Sequence, residues 1–387
     1  MQFIDLAAQQ KRIREQIEAN LRRVLDHGAY VMGPEVAELE KRLAALVGVE
    51  HALGCASGTD ALLLALMALG VGPGDAVLVP AFTFFASAEA VSLVGATPVF
   101  VDIASADFNL DPVKLQRAVV ALRTGDPRLH PLPEHAGGPL RPKAVIAVDL
   151  YGLPADYAAI NRIAAEEGLS VIEDAAQSLG ASRDGGKAGG LAAVGCTSFY
   201  PAKPLGAYGE GGMVFTGDES LAETMASLRV HGSGRHAYEH VRIGLNARLD
   251  TMQAAVLLAK LELFEQELEL RAQAAARYNQ LLGAAQAPLE LPGLPEGCVS
   301  AWAQYTVLAQ NAQQRQELRD RLQQAGVPTA VHYPAPVHLQ PAYQGLGYRP
   351  GDFPAAESAA QRVFSLPMHP YLGAADQEKI AAALRPR

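Results

Sequence analysis

The sequence predicts an α/β fold with a mostly parallel sheet, in a chain of two domains. Between about residues 50 and 230, short apolar runs alternate with helix-like stretches, which is typical of β-α units feeding a parallel sheet. This pattern changes near residue 250. The 387 residues also exceed the size at which one hydrophobic core stops growing. We therefore expect one domain over residues 1–250 and a second over residues 251–387.

Seven apolar runs predict the strands of the sheet. They are residues 51–55, 76–79, 97–101, 144–148, 169–172, 195–199 and 213–215. Helical patterns lie between them, at residues 60–69, 86–93, 156–167 and 220–230.

The flanking regions are predicted to be mainly helical. Residues 9–26 form an amphipathic pattern with apolar residues at spacings of four, and a second helix follows at residues 34–47. Residues 250–281 predict one long helix or two in series. A strand is then expected at 302–308, with helices at 313–325, 354–363 and 374–384. Residues 124–141 are rich in Pro, Gly and His and predict a solvent-exposed loop.

The composition excludes several classes of protein. Hydrophobic residues make up 49% and charged residues 19%, as in a globular enzyme. A net charge of -9 provides no basic field for nucleic acid or an anionic membrane. The N-terminus lacks a signal-peptide pattern, and no apolar run approaches the roughly 20 residues of a membrane helix. Cys55, Cys196 and Cys298 are odd in number and far apart, which favours reduced cytoplasmic thiols over disulfides and gives no indication of metal binding.

One lysine is a candidate for covalent attachment of a cofactor. Lys203 follows an apolar strand and enters a glycine-rich turn that ends at Gly212. An amine held there can condense with a cofactor aldehyde and, once released, can shuttle a proton. A lone lysine is usually a solvated surface residue. The apolar strand before Lys203 and the Pro-Leu-Gly after it favour the functional interpretation.

A carboxylate and an amide follow another predicted strand. Asp174 lies at its carboxyl end, the edge at which open α/β sheets bind ligands. An ionised carboxylate there keeps a pyridine nitrogen protonated, and Gln177 is able to donate to a ring hydroxyl. The alternative is that Asp174 caps the next helix.

A phosphate site is predicted at the start of the helix after residue 57. Gly58 and Thr59 offer free backbone N–H groups at the positive helix end, although an ordinary N-cap is equally compatible. The Ser198 hydroxyl is expected to point at the same phosphate. Phe84 is the candidate to stack on a ring, with core packing as the alternative. Together with Lys203, these features predict a pyridoxal phosphate (PLP) site.

These motifs, in this order, resemble the DegT/StrS-type family of PLP-dependent sugar aminotransferases over nearly the whole chain. The resemblance implies the fold type I architecture: a large domain with a mixed, mainly parallel seven-stranded sheet and a smaller C-terminal α/β domain. It also implies a homodimer with shared active sites. In such a dimer, Asn246 and Arg248 cross into the partner's site, where Asn246 contacts the PLP phosphate.

Further segments, around residues 3–6, 28–36, 331–334 and 366–370, resemble most closely the enzymes that aminate UDP-2-acetamido-2-deoxy-3-oxo-glucuronate. The resemblance implies amino transfer from glutamate, releasing 2-oxoglutarate, for bacterial surface polysaccharide such as the O-antigen of lipopolysaccharide. Arg248 is the candidate to grip the sugar carboxylate, His332 to assist it and Tyr333 to line the sugar pocket. Basic residues 231–242 are expected either to meet the diphosphate or to form a solvated loop.

Two departures from the family pattern stand out. Residues 124–141 are longer than the usual connection, and Asp149 replaces the histidine of many relatives, which is expected to alter the rim of the pocket. Four alternatives stay open at this point. Two are amination of a 4-keto-6-deoxy nucleotide sugar and a non-catalytic regulatory protein of the PLP fold. Two are weaker: a sugar dehydratase of the PLP family, because those enzymes replace the lysine with histidine, and a nicotinamide dehydrogenase, because the glycines do not fit the dinucleotide fingerprint.

Overall fold

A seven-stranded sheet dominates the fold, and all seven strands lie where the sequence predicts them. The computed structural model describes residues 1–134, 138–236 and 238–386. The strands are β1 His51–Cys55, β2 Asp75–Pro80, β3 Thr97–Val101, β4 Arg141–Val148, β5 Ser170–Asp174, β6 Ser182–Arg183, β7 Gly186–Lys187, β8 Val194–Ser198, β9 Gly212–Thr216, β10 Cys298–Val299, β11 Tyr305–Leu308 and β12 Val363–Leu366. The helices are α1 Leu6–His27, α2 Pro34–Val47, α3 Gly58–Ala68, α4 Ala86–Leu93, α5 Pro112–Thr124, α6 Tyr157–Glu167, α7 Glu219–Leu228, α8 Thr251–Leu261, α9 Phe264–Ala284, α10 Ala312–Gln324, α11 Pro354–Arg362 and α12 Ala374–Ala383.

The sheet is mixed but mainly parallel, as expected. Its strand order is β1-β9-β8-β5-β4-β2-β3. The five strands from β8 to β3 run parallel, whereas β9 is antiparallel to both β8 and β1. Strands β1, β5 and β8 therefore end at the same edge of the sheet. This edge is where an α/β sheet binds its ligands.

A second core lies beyond the sheet, in the C-terminal part of the chain. It packs α9, α10 and α12 around the two-stranded sheet of β11 and β12. Its fully buried side chains include Tyr278, Tyr305 and Phe364. The predicted boundary at residue 250 stays a prediction. Helix α8, which follows that boundary, packs on α1 and α2.

The sequence analysis missed helix α5, strand β12 and the two-residue strands β6, β7 and β10. Helix α5 carried a readable signal, because Asp111 and Pro112 precede it, buried Leu115 and Val119 are four residues apart, and Gly125 ends it. Strand β12 was hidden because it begins directly where α11 ends. The expected long helix of residues 250–281 is two helices, α8 and α9.

The loop after α5 is not wholly solvent-exposed, so that prediction was wrong in part. Most of its described residues are exposed, but His130 is buried and its Nε2 lies 2.7 Å from the Phe100 carbonyl oxygen. The Glu134 N–H donates to the Leu346 carbonyl oxygen at 2.8 Å. Residues 135–137 lie outside the described residues. The loop is thereby fixed against the segment that leads into α11.

Two kinds of feature are absent from the described residues. None of their helices combines the length and apolar character that a membrane crossing requires. No group of three or more His, Cys, Asp or Glu side chains in the same residues is arranged to hold a metal ion.

Candidate active site

Lys203 is held on a tightly closed turn after β8. Its N–H donates to the Tyr200 carbonyl oxygen at 2.9 Å, and the Ala207 N–H closes the turn onto Phe199 at 2.7 Å. Gly206 approaches the Pro201 backbone so closely that a Cβ would collide with it. Burial lowers the pKa of Lys203, while the Asp174 carboxylate partly opposes that shift. The turn therefore presents an amine that is more easily deprotonated than a surface lysine, which is the nucleophilic form.

Asp174 ends β5 and faces the same site with a buried side chain. Its Oδ2 accepts a hydrogen bond from Ser87 Oγ at 2.8 Å, and its Oδ1 accepts one from the Ala176 N–H at 3.2 Å. Burial raises the pKa of Asp174, and these two hydrogen bonds and Lys203 oppose the rise. The alternative role as a helix cap fails because the residues after Asp174 form turns and no helix.

Gln177 connects Tyr151 and Tyr333 through hydrogen bonds of its side-chain amide. Its Oε1 accepts from the Tyr151 N–H at 2.7 Å, and its Nε2 donates to the Tyr333 hydroxyl at 3.3 Å. These bonds fix the amide and leave one Nε2 hydrogen for a ligand. The expected contact with a cofactor hydroxyl stays a prediction that this orientation supports.

The start of α3 forms a narrow cup beside Ser198, the last residue of β8. Ser57 caps the helix by accepting from the Asp60 N–H at 3.0 Å, so its hydroxyl is already engaged. The amides of Gly58 and Thr59 meet no protein acceptor within the described residues. Ser198 packs on Gly58, where an added Cβ would lie 2.7 Å from the Ser198 Cβ. Free amides at a helix start beside a serine hydroxyl fit a phosphate group.

Three phenylalanines follow β2, and they differ in what they offer to a ligand. Phe82 is buried, and Phe85 packs on Tyr343 with ring centroids 5.3 Å apart. Phe84 is 56% exposed and its ring lies 5.9 Å from that of Tyr333. Phe84 therefore has the free face that stacking on a ring requires, and that role stays a prediction.

His332 lies near Lys203, and the neighbouring Tyr333 contacts Gln177. The Nδ1 atom of His332 lies 3.2 Å from Ser365 Oγ, and its carbonyl oxygen accepts from the Tyr151 hydroxyl. Burial and the nearby Lys203 ammonium lower the pKa of His332. Burial raises the pKa of Tyr333, and the bond from Gln177 opposes this. The structure thus places two of the three predicted substrate residues near the candidate cofactor residues, His332 near Lys203 and Tyr333 against Gln177.

Asn246 and Arg248 belong to a different pocket of the same chain. The Arg248 Nη2 atom donates to Asn246 Oδ1 at 2.6 Å. Both line a surface pocket of about 310 Å³ that also includes Val31, Ala56, Glu210, Asp250 and Gln253. His332 does not line it. One chain by itself therefore groups Arg248 with Asn246, and it does not bring Arg248 to His332.

Asp149 does not shape the rim of the pocket, and that expectation was wrong. Its side chain is completely buried and accepts from Ser178 Oγ at 2.6 Å, the Tyr157 hydroxyl at 2.8 Å and the Ala155 N–H at 3.0 Å. Burial raises the pKa of Asp149 to about 6, against these hydrogen bonds. Because Ser178 follows Gln177, the hydrogen bond from Ser178 to Asp149 anchors the turn of residues 174–178 to the buried carboxyl.

Sequence reasoning missed two residues that shape the site, Ser87 and Tyr151. Ser87 bonds to Asp174 across 87 positions, and Tyr151 bonds to His332 across 181. No local sequence pattern indicates contacts between residues so far apart in the chain.

Comparisons with known proteins agree on one family. Residues 11–385 match the DegT/DnrJ/EryC1/StrS aminotransferase family. The UDP-2-acetamido-2-deoxy-3-oxo-D-glucuronate aminotransferase of Pseudomonas aeruginosa is 48% identical over 384 residues, covering 99% of both chains. A DegT/DnrJ/EryC1/StrS aminotransferase from Brucella abortus has a similar crystal structure, with a TM-score of 0.92 and 49% identity over 99% of this chain and 98% of that one. NtdA from Bacillus subtilis, solved with the cofactor PMP, has a TM-score of 0.85 and 29% identity over 99% and 82%.

Proposed function

The chain belongs to the DegT/DnrJ/EryC1/StrS aminotransferase family, and from this premise we propose that it aminates the 3-keto carbon of UDP-2-acetamido-2-deoxy-3-oxo-glucuronate. Glutamate is the proposed amino donor. The observation that carries the proposal is the proximity of Lys203 to both Asp174 and His332, whose pKa values its charge shifts. The full-length similarity to an enzyme named for this sugar supports the choice of substrate.

The residues of the pocket fit PLP, the cofactor of the family's aminotransferases. When bound, PLP supplies an electron sink that stabilises negative charge at the carbon next to the transferred nitrogen. Lys203 is the residue that holds its aldehyde, and Asp174 keeps the pyridine nitrogen protonated. The remaining proposed contacts are Gly58, Thr59 and Ser198 for the phosphate, Gln177 for the ring hydroxyl, Phe84 for the ring face, and Asn246 of a second copy for the phosphate.

Lys203 would have a second task whenever its amine is free. Its lowered pKa favours the uncharged amine, which would accept a proton from the substrate carbon and return it. The closed turn limits the movement of this amine. Ordering the base before the reaction contributes to the rate by proximity.

In the proposed recognition of the uronate, different residues contact the carboxylate and the rest of the sugar. The pKa of His332 is lowered, so at neutral pH its imidazole is uncharged and offers a hydrogen bond without a positive charge. The charge that pairs with a carboxylate must then come from Arg248, whose guanidinium is suited to a bidentate contact. Tyr333 is placed to line the sugar side of the pocket.

A homodimer would bring these residues together. Val31 lines the Arg248 pocket, and with Tyr30 it exposes about half of its side-chain surface. Ile243, just before the Asn246 segment, is 89% exposed. Such apolar surface beside an incomplete polar pocket fits a covered interface between two copies. The basic segment 231–242, of which residue 237 lies outside the described residues, would then face the diphosphate.

The proposed setting is the bacterial cytoplasm, in the synthesis of surface polysaccharide such as the O-antigen of lipopolysaccharide. Cys55 and Cys196 are buried free thiols, and Cys298 is a partly exposed one. Free thiols of this kind are usual in a reducing compartment.

The proposal is tested by mass detection of the aminated product. The protein is incubated with nitrogen-15 glutamate and three sugars: the 3-oxo-uronate, its counterpart with a hydroxymethyl group in place of the carboxylate, and a 4-keto-6-deoxy nucleotide sugar. We expect the label in the uronate. Label only in another sugar would overturn the substrate. No label in any sugar, together with no change of visible absorption on adding glutamate, would instead favour a regulatory protein.

A further inference from the structure

A buried pair of hydroxyl groups lies behind Asp174, and the proposed function does not use it. Ser87 is in the first turn of α4 and is completely buried, and Thr83 is 2% exposed. Ser87 Oγ donates to Asp174 Oδ2 at 2.8 Å, and Thr83 Oγ1 lies 3.1 Å from Ser87 Oγ.

The Asp174 carboxylate determines which hydroxyl of this pair donates a hydrogen bond and which accepts one. An ionised carboxylate only accepts hydrogen bonds, so the Ser87 hydrogen points at Asp174. The Ser87 oxygen is then free to accept from Thr83. A serine in a helix often bonds back to the carbonyl group four residues earlier, as Ser92 does to Ala88 in the same helix at 3.5 Å. Ser87 has no such bond among the described residues and faces the carboxylate instead.

We propose that Ser87, backed by Thr83, is a positioning residue that holds the Asp174 carboxylate ionised and oriented toward the pyridine nitrogen of the cofactor. This inference rests on the proposed function, because it assigns Asp174 to that nitrogen. The Ala176 N–H occupies Oδ1, and Ser87 occupies one side of Oδ2. The carboxylate is thereby fixed at both oxygens and keeps lone pairs for a ligand.

The energetic need for Ser87 follows from burial. Taking the Asp174 carboxylate out of water favours its protonated form, and of the groups that oppose this the Ser87 hydroxyl is the largest contributor. A protonated Asp174 would not pair with a protonated pyridine nitrogen. Removing the Ser87 hydroxyl should therefore weaken this one contact and leave the phosphate cup and Lys203 unchanged.

The test compares the equilibrium binding of PLP with that of its carbocyclic analogue, in which carbon replaces the pyridine nitrogen. Ser87→Ala should bind PLP about 10-fold more weakly than the unaltered protein, as expected for loss of a hydrogen bond to a charged group. Its affinity for the carbon analogue should not change. In an Asp174→Asn background, adding Ser87→Ala should have no further effect on either ligand.

The matched control is Ser92→Ala, which removes a hydroxyl from the same helix away from Asp174. It should leave both affinities unchanged. An equal loss for both ligands in Ser87→Ala, or a PLP loss as large in Ser92→Ala, would show a merely structural role and overturn the inference.

A second variant covers the case in which Ser87→Ala does not fold. Thr83→Val keeps the shape of the side chain and removes its donor, and we expect a smaller selective loss of PLP affinity, about 3-fold. No selective loss overturns the inference. If the unaltered protein binds neither ligand, the proposed function itself fails. If it prefers PLP and Ser87→Ala keeps the full preference, only the role of Ser87 fails.

Discussion

The cofactor half and the substrate half of the site differ in how far one chain completes them. Lys203, Asp174 and Gln177 lie together, and each of the last two is fixed by at least two hydrogen bonds. Arg248 lies on the surface in another pocket, bonded to Asn246 and separate from His332. A single chain therefore brings together all the proposed cofactor residues except Asn246, whereas selection of the sugar would depend on the Arg248 of a second copy.

The largest expected effect comes from removing the centre of the cofactor half. Lys203→Ala should reduce turnover by about 10⁴-fold, because it removes both the cofactor amine and the proton carrier. Steady-state assays with glutamate and the keto-sugar measure this. Lys187→Ala, at an exposed position of β7, is the control and should keep full activity. Ordinary activity in the Lys203 variant would refute the assignment of the whole site.

A smaller and substrate-specific loss is expected in the other half. Arg248→Ala should lower kcat/KM for the uronate by about 100-fold, since a buried carboxylate loses its charged partner. The counterpart without a carboxylate should lose little. Arg162→Ala, on the exposed face of α6, is the control. Equal losses for both sugars would show that Arg248 does not read the carboxylate.

Mixed dimers test whether the two halves come from different chains. Lys203→Ala and Arg248→Ala homodimers should each retain at most about 1% of the activity on the uronate, but a dimer with one subunit of each contains one intact shared site. Refolding equal amounts together should restore roughly one quarter of the wild-type activity, since half of the dimers are mixed and half of their sites are intact. If activity does not return, Lys203 and Arg248 act from the same chain, or Arg248 is not in the site.

The smallest expected effect concerns the buried carboxyl Asp149, next to the cofactor half, and it appears in the pH dependence of stability. The native pKa of Asp149 is raised from 3.8 to about 6, so the folded protein binds more protons between these values. Its contribution to stability is therefore present at low pH and is lost as the pH rises through about 6. From pH 4 to pH 7, wild type should lose stability relative to Asp149→Asn, because the substituted amide does not titrate. Urea unfolding across this range measures the difference, and parallel stability curves would contradict the prediction.

The sequence located the residues of the proposed cofactor half because these residues lie at the ends of local elements. Apolar runs identify β5 and β8, and the residues that follow a parallel strand lie at the ligand-binding edge whatever the details of packing. Asp174 and Lys203 could thus be placed before any contact was known. The same reasoning located the cup at Gly58, since a helix start is a local signal.

Other features depended on packing between distant segments. The sequence assigned Asp149 to the pocket rim, yet the fold buries it between Ser178 and Tyr157. It gave no hint that Ser87 would meet Asp174. Such contacts depend on how helices and strands stack against the sheet.

The sequence by itself determined the seven strands, the family resemblance and the positions of Lys203, Asp174 and the phosphate cup. These follow from hydrophobic periodicity and from the way strands and helices begin and end, which are short-range properties of the chain. Only the tertiary structure decided that Ser87 contacts Asp174, that Asp149 is buried, and that His332 does not line the pocket of Arg248 in the same chain. Burial and side-chain pairing depend on which distant segments exclude water from each other, and no local pattern records that.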